Sequence, residues 1–174
     1  MDQEEPVEDG QRERARPAPG PPQAAAFNAT DTAWIQLMIP MNERARLLTG
    51  LAPSRTTDPA FKDLAARTGT RLEKELTELR GLLDLSGVPD TRPHEGHDMP
   101  GMVALGTLRR AEGATGREFE KILTDGLRAH LAQSGTLCAS ERTSGGAEEA
   151  KDLAAAIGRS AARELDRLGT TTRS

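Results

Sequence analysis

Residues 61–85 read FKDLAARTGTRLEKELTELRGLLDL, and the fold prediction is built on this stretch. Its apolar residues recur at heptad spacing, which predicts one long amphipathic helix with a single inward face. That face comprises Phe61, Ala65, Thr68, Leu72, Glu75, Leu79 and Leu82. Asp58-Pro59 is expected to start the helix, with proline at its first position, and Gly87 to end it. Because an unpaired buried charge is costly, Glu75 needs a cationic partner or a role as a ligand.

Three further stretches, at about 30–48, 115–133 and 147–168, have the same spacing and predict three more helices. Thr30 or Asp31 is expected to cap the first of them. The inward residues are Trp34, Met38, Met41, Ala45 and Leu48 in the first, Phe119, Leu123, Leu127, His130 and Ser134 in the second, and Leu153, Ile157, Ala161, Glu164 and Leu168 in the third. Only 2% of the residues are aromatic, which argues against a β-sheet.

The two halves of the chain repeat one plan: helix, polar turn, helix with a late glutamate. The repeat is clearest in ELTEL at 75–79 and ELDRL at 164–168, and the second polar turn is expected at 140–146. Duplicated hairpins bury each other's apolar faces, so we predict an all-α, antiparallel four-helix bundle. The two late glutamates would then face each other as metal ligands do in such bundles. The alternative is that each glutamate pairs with a nearby arginine, such as Arg71 or Arg163.

The predicted domain organisation is one bundle domain between two disordered ends. Residues 1–26 are acidic, then Arg-rich, then Pro- and Ala-rich, and such a segment buries too little apolar surface to fold. It has no charged start followed by an apolar core, so it is not a signal peptide. A cytoplasmic protein and an exported one whose signal is left out both fit. The bundle is expected over 27–169, as a first hairpin at 27–90, a connecting loop and short helix at 91–114 and a second hairpin at 115–169, with a disordered tail at 170–174.

Composition excludes several classes of protein. The net charge of −4 comes from 23 basic residues interspersed with 27 acidic ones, so there is no basic stripe for a nucleic acid. No run of about 18 apolar residues exists, which argues against a transmembrane segment. Cys138 is the only cysteine, so no intrachain disulfide can form; it is expected to be a small residue at a helix end.

A loop between the two halves collects soft metal donors. It reads HEGHDMPGM at 94–102, where proline and glycine prevent a continuous helix. Imidazole nitrogen suits copper, zinc and nickel, and thioether sulfur suits monovalent copper or silver. This loop therefore suggests a site for a soft metal ion.

No pattern typical of an enzyme is found. A nucleophile must lie within hydrogen-bond reach of its base, yet Cys138 and His130 would lie ~12 Å apart along one helix. Neither a phosphate-binding loop nor a pair of closely spaced cysteines occurs. We therefore expect no catalytic activity and no catalytic residues.

Several of these stretches resemble those of a known family, domain of unknown function 305. They are DTAWIQLMIPMNERA at 31–45, the helix at 65–83, MPGM at 99–102 and GREF at 116–119, together with the closing helix. The most specific piece is MPGM, which follows the MIP helix at the distance seen in that family. The resemblance covers about residues 27–169. It implies a ferritin-like fold, a secreted or periplasmic location and, as in some members, copper binding.

The sequence departs from that family at its motif histidines. Where the family has adjacent histidines, this chain has Met41 and Asn42 in the first half and His130 and Leu131 in the second. Either the site has shifted to a methionine-rich set for monovalent copper, or the metal function is lost and the bundle is a metal-free scaffold that binds a protein or forms a homo-oligomer. The candidate metal ligands are Met38, Met41, Glu75, His94, His97, Met99, Met102, His130 and Glu164.

Overall fold

Four long helices and two short ones make up the part of the chain that the computed structural model describes, residues 26–93 and 96–171. The helices are α1 (Ala29–Gly50), α2 (Ala52–Arg55), α3 (Pro59–Ser86), α4 (Leu105–Gly113), α5 (Gly116–Ser144) and α6 (Glu148–Thr171). These residues contain no strand, which confirms the all-α prediction. The predicted disordered leader at 1–26 lies outside the described residues except for Ala26. Of the predicted tail, residues 172–174 lie outside them, while α6 continues through Thr171.

The long helices pack as a helical bundle. The most extensive contacts are between α5 and α6 and between α1 and α3, and α1 also packs against α5. The contact between α3 and α6 is smaller, and the short helix α4 packs on α5. The ferritin-like arrangement implied by the family resemblance stays a prediction. Within the described ranges, no helix is both long and apolar enough to cross a membrane.

The helix ends follow local signals. Asn28, and not Thr30 or Asp31, is the cap of α1: its side chain accepts from the Asp31 backbone N–H, and the Asp31 carboxylate accepts from the Asn28 N–H. The predicted start and stop of α3 are confirmed, with Asp58 as the cap and Gly87 at φ 71°.

The predicted polar turn at 140–146 begins too early: residues 140–144 belong to α5, and only Gly145 and Gly146 of the predicted turn lie in the connection to α6. The inward stripe of α5 continues through Ser134, Cys138 and Glu141, which are all buried, and the helix ends only at Ser144. Cys138 therefore lies inside the helix and not at its end. The error arose because Glu141 looks like a solvent-exposed loop residue in the sequence.

The core consists of two apolar clusters with polar residues between them. The Phe119 cluster includes Ala45, Leu48, Leu72, Phe119, Leu123, Leu127, Leu131 and Leu168. The Trp34 cluster includes Trp34, Met38, Leu79, Cys138, Ala147, Ala150 and Ile157. Six polar residues of the long helices form what we call the polar layer. Asn42, Glu75, Arg71 and Glu164 are joined by hydrogen bonds, and His130 and Ser134 contact each other. This layer contains three of the predicted ligands.

Candidate functional site

One guanidinium joins the two late glutamates of the bundle. Arg71 lies one turn before Glu75 on α3 and donates from Nη1 to Glu75 Oε1. Its Nη2 donates to Glu164 Oε2 on α6 at 2.9 Å. The exposed fractions of these side chains are only 16% for Arg71, 6% for Glu75 and 12% for Glu164. The alternative prediction, that each glutamate pairs with a nearby arginine, therefore holds for both glutamates. They share Arg71 as their partner, since Arg163 donates to Ser160.

Asn42 provides the second hydrogen bond to Glu75. Its Nδ2 donates to Glu75 Oε2 at 2.8 Å, and both side chains are buried. Burial raises the pKa of Glu75, and the stabilisation of its charge by Arg71 and Asn42 only partly offsets that effect. An amide therefore occupies the position where the family resemblance implies an imidazole, and it binds the carboxylate as a hydrogen-bond donor.

His130 is fully enclosed by the bundle, with 1% of its surface exposed. Its Nε2 lies 3.5 Å from the Oγ of Ser134, one turn later on α5. Within the described part of the chain, no hydrogen-bond partner reaches its Nδ1. Burial and, second, the positive charge of Arg71 lower the pKa of His130 to about 3. The ring is therefore neutral at physiological pH.

The sulfur atoms of α1 and α5 are also buried. Met38 and Met41 are both 0% exposed, and Met38 packs in the Trp34 cluster together with Cys138. Burial raises the pKa of the Cys138 thiol to about 12. The thiol is consequently protonated and a poor nucleophile, because reactivity requires the thiolate.

The His/Met loop is only partly anchored to the bundle. His97 is exposed, Met99 is half-buried and Met102 is buried at 7% exposure, while the predicted ligand His94 lies outside the described residues. The loop approaches α5 closely at Gly101, whose φ is +78°. A Cβ at that position would lie 2.2 Å from the Cβ of Gln133. Close packing at Gly101 therefore holds Met102 against α5, and His97 faces solvent.

The arrangement of acidic and imidazole groups does not fit a conventional metal centre. Among the described residues, no three His, Cys, Asp or Glu side chains are grouped so as to hold a metal ion. Glu75 and Glu164 already share the cation of Arg71. A metal cation 4 Å from that guanidinium would be repelled by about 4 kcal/mol per unit charge near a protein surface. Of the predicted donors, the buried ones outside this ion-pair network are His130, Met38, Met41 and Met102.

A second buried polar cluster, which sequence reasoning missed, lies where α1 begins and α5 meets α6. Both Asp31 carboxylate oxygens accept from the backbone N–H groups of Gly146 and Ala147, at 3.0–3.2 Å. Glu141, on the last turns of α5, is 0% exposed like Asp31. Asp31 carries a helix-cap signal in the sequence, but nothing in the sequence pairs it with residues more than 100 positions away.

Comparisons with known proteins give the family of this chain. No curated protein matches it. Among solved structures, it is similar to a candidate secreted protein of domain of unknown function 305 from Streptomyces coelicolor, at a TM-score of 0.72 and 18% identity, covering 80% of this chain and 89% of that one. The likeness at this identity concerns the fold. The sequence profile of the family described as domain of unknown function (DUF305) matches residues 29–172. The chain therefore belongs to the DUF305 family.

Proposed function

We propose that this chain is a non-enzymatic helical-bundle protein that acts outside the cytoplasm as a scaffold for protein interaction or homo-oligomerisation, without a metal ion in its core. The observation that carries the metal-free part of the proposal is the bridge from Arg71 to Glu75 and Glu164. A guanidinium supplies the positive charge that two facing carboxylates need, so no metal ion is required to neutralise them. The hydrogen bond from Asn42 to Glu75 completes this replacement.

Two further observations support the absence of catalysis. Ser134 and His130 are only 2% and 1% exposed, so a substrate has no route to the hydroxyl or to the ring. A catalytic histidine is oriented by a third group on its other nitrogen, and no described residue provides one at Nδ1. The Ser134–His130 contact is therefore best explained as the partial hydrogen bonding of a buried ring.

The location outside the cytoplasm rests on the family. The Streptomyces coelicolor neighbour is a candidate secreted protein, and its fold covers most of this chain. A protein without an intrachain disulfide must obtain its stability from core packing and ion pairs in any compartment. Expression of the full-length gene followed by fractionation tests the location; recovery of the protein only from the cytosolic fraction would contradict it.

The test of the metal-free core is a titration with monovalent copper against a chelator of known affinity. We expect the wild type to retain no more copper than a His130→Leu/Met41→Leu variant. The scaffold role is tested separately, by measuring the mass of the purified protein in solution by light scattering. Stoichiometric copper retained by the wild type and lost in the variant would overturn the metal-free core, and a strict monomer with no partner captured by crosslinking in its own host would overturn the scaffold role.

The second candidate function is binding of a soft metal ion. One observation favours it: the neutral His130 ring has a buried Nδ1 without a described partner, and the thioethers of Met38 and Met41 are buried on a neighbouring helix. Neutral imidazole and thioether suit monovalent copper better than divalent ions. In that case the same titration would show retention, and replacing Met99, Met102 and His97 would show whether the loop contributes.

A further inference from the structure

The cluster at the start of α1 holds three segments together through one carboxylate. Asp31 Oδ2 accepts from the Asn28 N–H at 2.6 Å, and its two oxygens accept from Gly146 and Ala147 in the connection from α5 to α6. The Asn28 side chain adds a hydrogen bond from Nδ2 to the Ser144 carbonyl at 2.9 Å. These bonds cross more than 100 residues of sequence, so they tie the first turn of α1 to the far end of the second hairpin.

Glu141 approaches the same connection but has no donor of its own. A Cβ on Gly145 would lie 2.3 Å from Glu141 Oε1, so only glycine allows the carboxyl group to sit there. Within the described residues, neither carboxyl oxygen of Glu141 has a hydrogen-bond donor. The backbone N–H groups nearby are already used by Asp31. An ionised Glu141 would therefore be an unpaired buried charge beside a second carboxylate, which is strongly unfavourable.

We propose that Asp31 and Glu141 share one proton and form a pH-sensitive latch between the start of α1 and the connection from α5 to α6. In the closed latch the proton is on Glu141, whose O–H donates to the Asp31 carboxylate. Loss of that proton places two negative charges in contact without solvent, and the latch then opens so that both become hydrated. The O–H bond is the only covalent bond that is broken, and opening also breaks the hydrogen bonds from the Asn28, Gly146 and Ala147 N–H groups to Asp31.

The electrostatics of the surrounding groups agree with this arrangement. Burial and, second, the neighbouring Asp31 raise the pKa of Glu141 to about 8. Burial also acts to raise the pKa of Asp31, but the hydrogen bonds from Glu141 and from the backbone outweigh it and lower the pKa. Lys151 of α6 is a further charged group near the pair; it is paired with Glu148 at 2.6 Å, and its charge lowers the pKa of Glu141 by less than burial and Asp31 raise it. Cys138, one turn earlier on α5, is neutral.

The direction of the pH effect follows from linkage. The pKa of Glu141 is higher in the closed latch than in an open one, where the ordinary value of 4.5 applies. Glu141 therefore stabilises the closed latch fully below about pH 4.5, and this contribution is lost as the pH rises toward about 8. Within that window the equilibrium constant for opening rises about tenfold per pH unit, because opening releases one proton.

Amide hydrogen exchange on the full chain tests the latch, because it reports the opening of individual hydrogen bonds. After correction for the intrinsic exchange rate, protection of the Asn28, Gly146 and Ala147 amides should fall about tenfold between pH 6 and pH 7. In Glu141→Gln, whose amide can still donate to Asp31, protection at these amides should be independent of pH.

The matched control is Glu148→Gln, which removes an exposed carboxylate at the same end of the bundle and should keep the wild-type pH dependence. The same fall in protection in Glu141→Gln and in the wild type would overturn the proposal. A second measurement needs no variant: carbon NMR of the glutamate carboxyls in the wild type should show one that titrates near pH 8. Titration of Glu141 at an ordinary value would also overturn the proposal.

Discussion

Replacing Arg71 by methionine should destabilise the folded protein by about 3 kcal/mol at neutral pH. Methionine keeps an unbranched apolar stem of similar length, so the main loss is the guanidinium. Glu75 and Glu164 then stay in a mostly dry environment without their cation, and Glu75 keeps only the hydrogen bond from Asn42. Breaking a buried ion pair on one side costs about 3–5 kcal/mol, and the partial exposure of Arg71 and Glu164 places this case at the lower end.

The assay is urea denaturation together with thermal unfolding, each at pH 7 and pH 4.5. A loss of 3 kcal/mol corresponds to a decrease in Tm of roughly 6–12 °C for a chain of this size. The loss should be smaller at pH 4.5. The pKa of Glu75 is already raised in the wild type, and removal of Arg71 raises it further, so the glutamate becomes neutral at moderately acidic pH.

Two variants separate the ion-pair network from a general effect of removing a surface charge. Arg163→Met removes an exposed arginine whose described hydrogen bond is to Ser160, and it should change stability by less than about 0.5 kcal/mol. Adding Glu75→Gln and Glu164→Gln to Arg71→Met should recover a large part of the loss, because no buried charge is left unpaired. An equal effect of Arg71→Met and Arg163→Met would show that the ion pairs of Arg71 do not stabilise the bundle.

Three further predictions concern His130, Gly101 and Cys138. The pKa of His130 is about 3 in the folded state against an ordinary 6.5, so the neutral ring stabilises the fold above pH 6.5, and the free energy of unfolding falls by up to about 1.4 kcal/mol per pH unit as the pH decreases toward 3. Equilibrium unfolding of His130→Leu should lack this part of the acid sensitivity. An unchanged dependence of the unfolding free energy on pH would contradict the prediction. Gly101→Ala should lower the free energy of unfolding in urea by about 2–3 kcal/mol, because of its positive φ and a clash with Gln133. The control Gly87→Ala, where a Cβ meets open space, should lower it by about 1 kcal/mol. Equal losses would argue against close packing of the loop. Cys138 should react with a thiol reagent at pH 8 only after unfolding, whereas rapid labelling of the folded protein would show that the thiol is accessible.

Much of the fold follows from the sequence because it depends on local patterns. The inward stripes of α1, α3 and α5 are buried nearly as predicted, since heptad spacing fixes which side of a helix faces its neighbours. The boundary between α5 and α6 could not be predicted in the same way. In the proposed latch, Glu141 is a buried neutral acid that donates a hydrogen bond to Asp31 on another helix, and such a long-range pair of acids leaves no periodic signal in the sequence.

The candidate site was predictable in position but not in chemistry. Spacing placed Glu75, Glu164 and His130 on inward faces, and the structure buries Glu75 and His130 and half-buries Glu164. What spacing cannot give is the partner of each group. Arg71 lies at the edge of its stripe, and whether it reaches inward or into water depends on how α3 and α6 approach each other. Its side chain pairs with Glu75 of its own helix and with Glu164 of another, and the packing of the helices determines these partners.

The shared arginine accounts for the departure from the family pattern at position 42. Because the Arg71 guanidinium lies between the glutamates, the residue at position 42 does not need a lone pair to bind a metal cation. A hydrogen-bond donor to the Glu75 carboxylate is more favourable at that position. Asn42 supplies such a donor through Nδ2. The same positive charge disfavours protonation of His130 and would repel a cation bound at its ring. Arg71 thus makes an amide favourable at position 42 and leaves His130 as a neutral core residue.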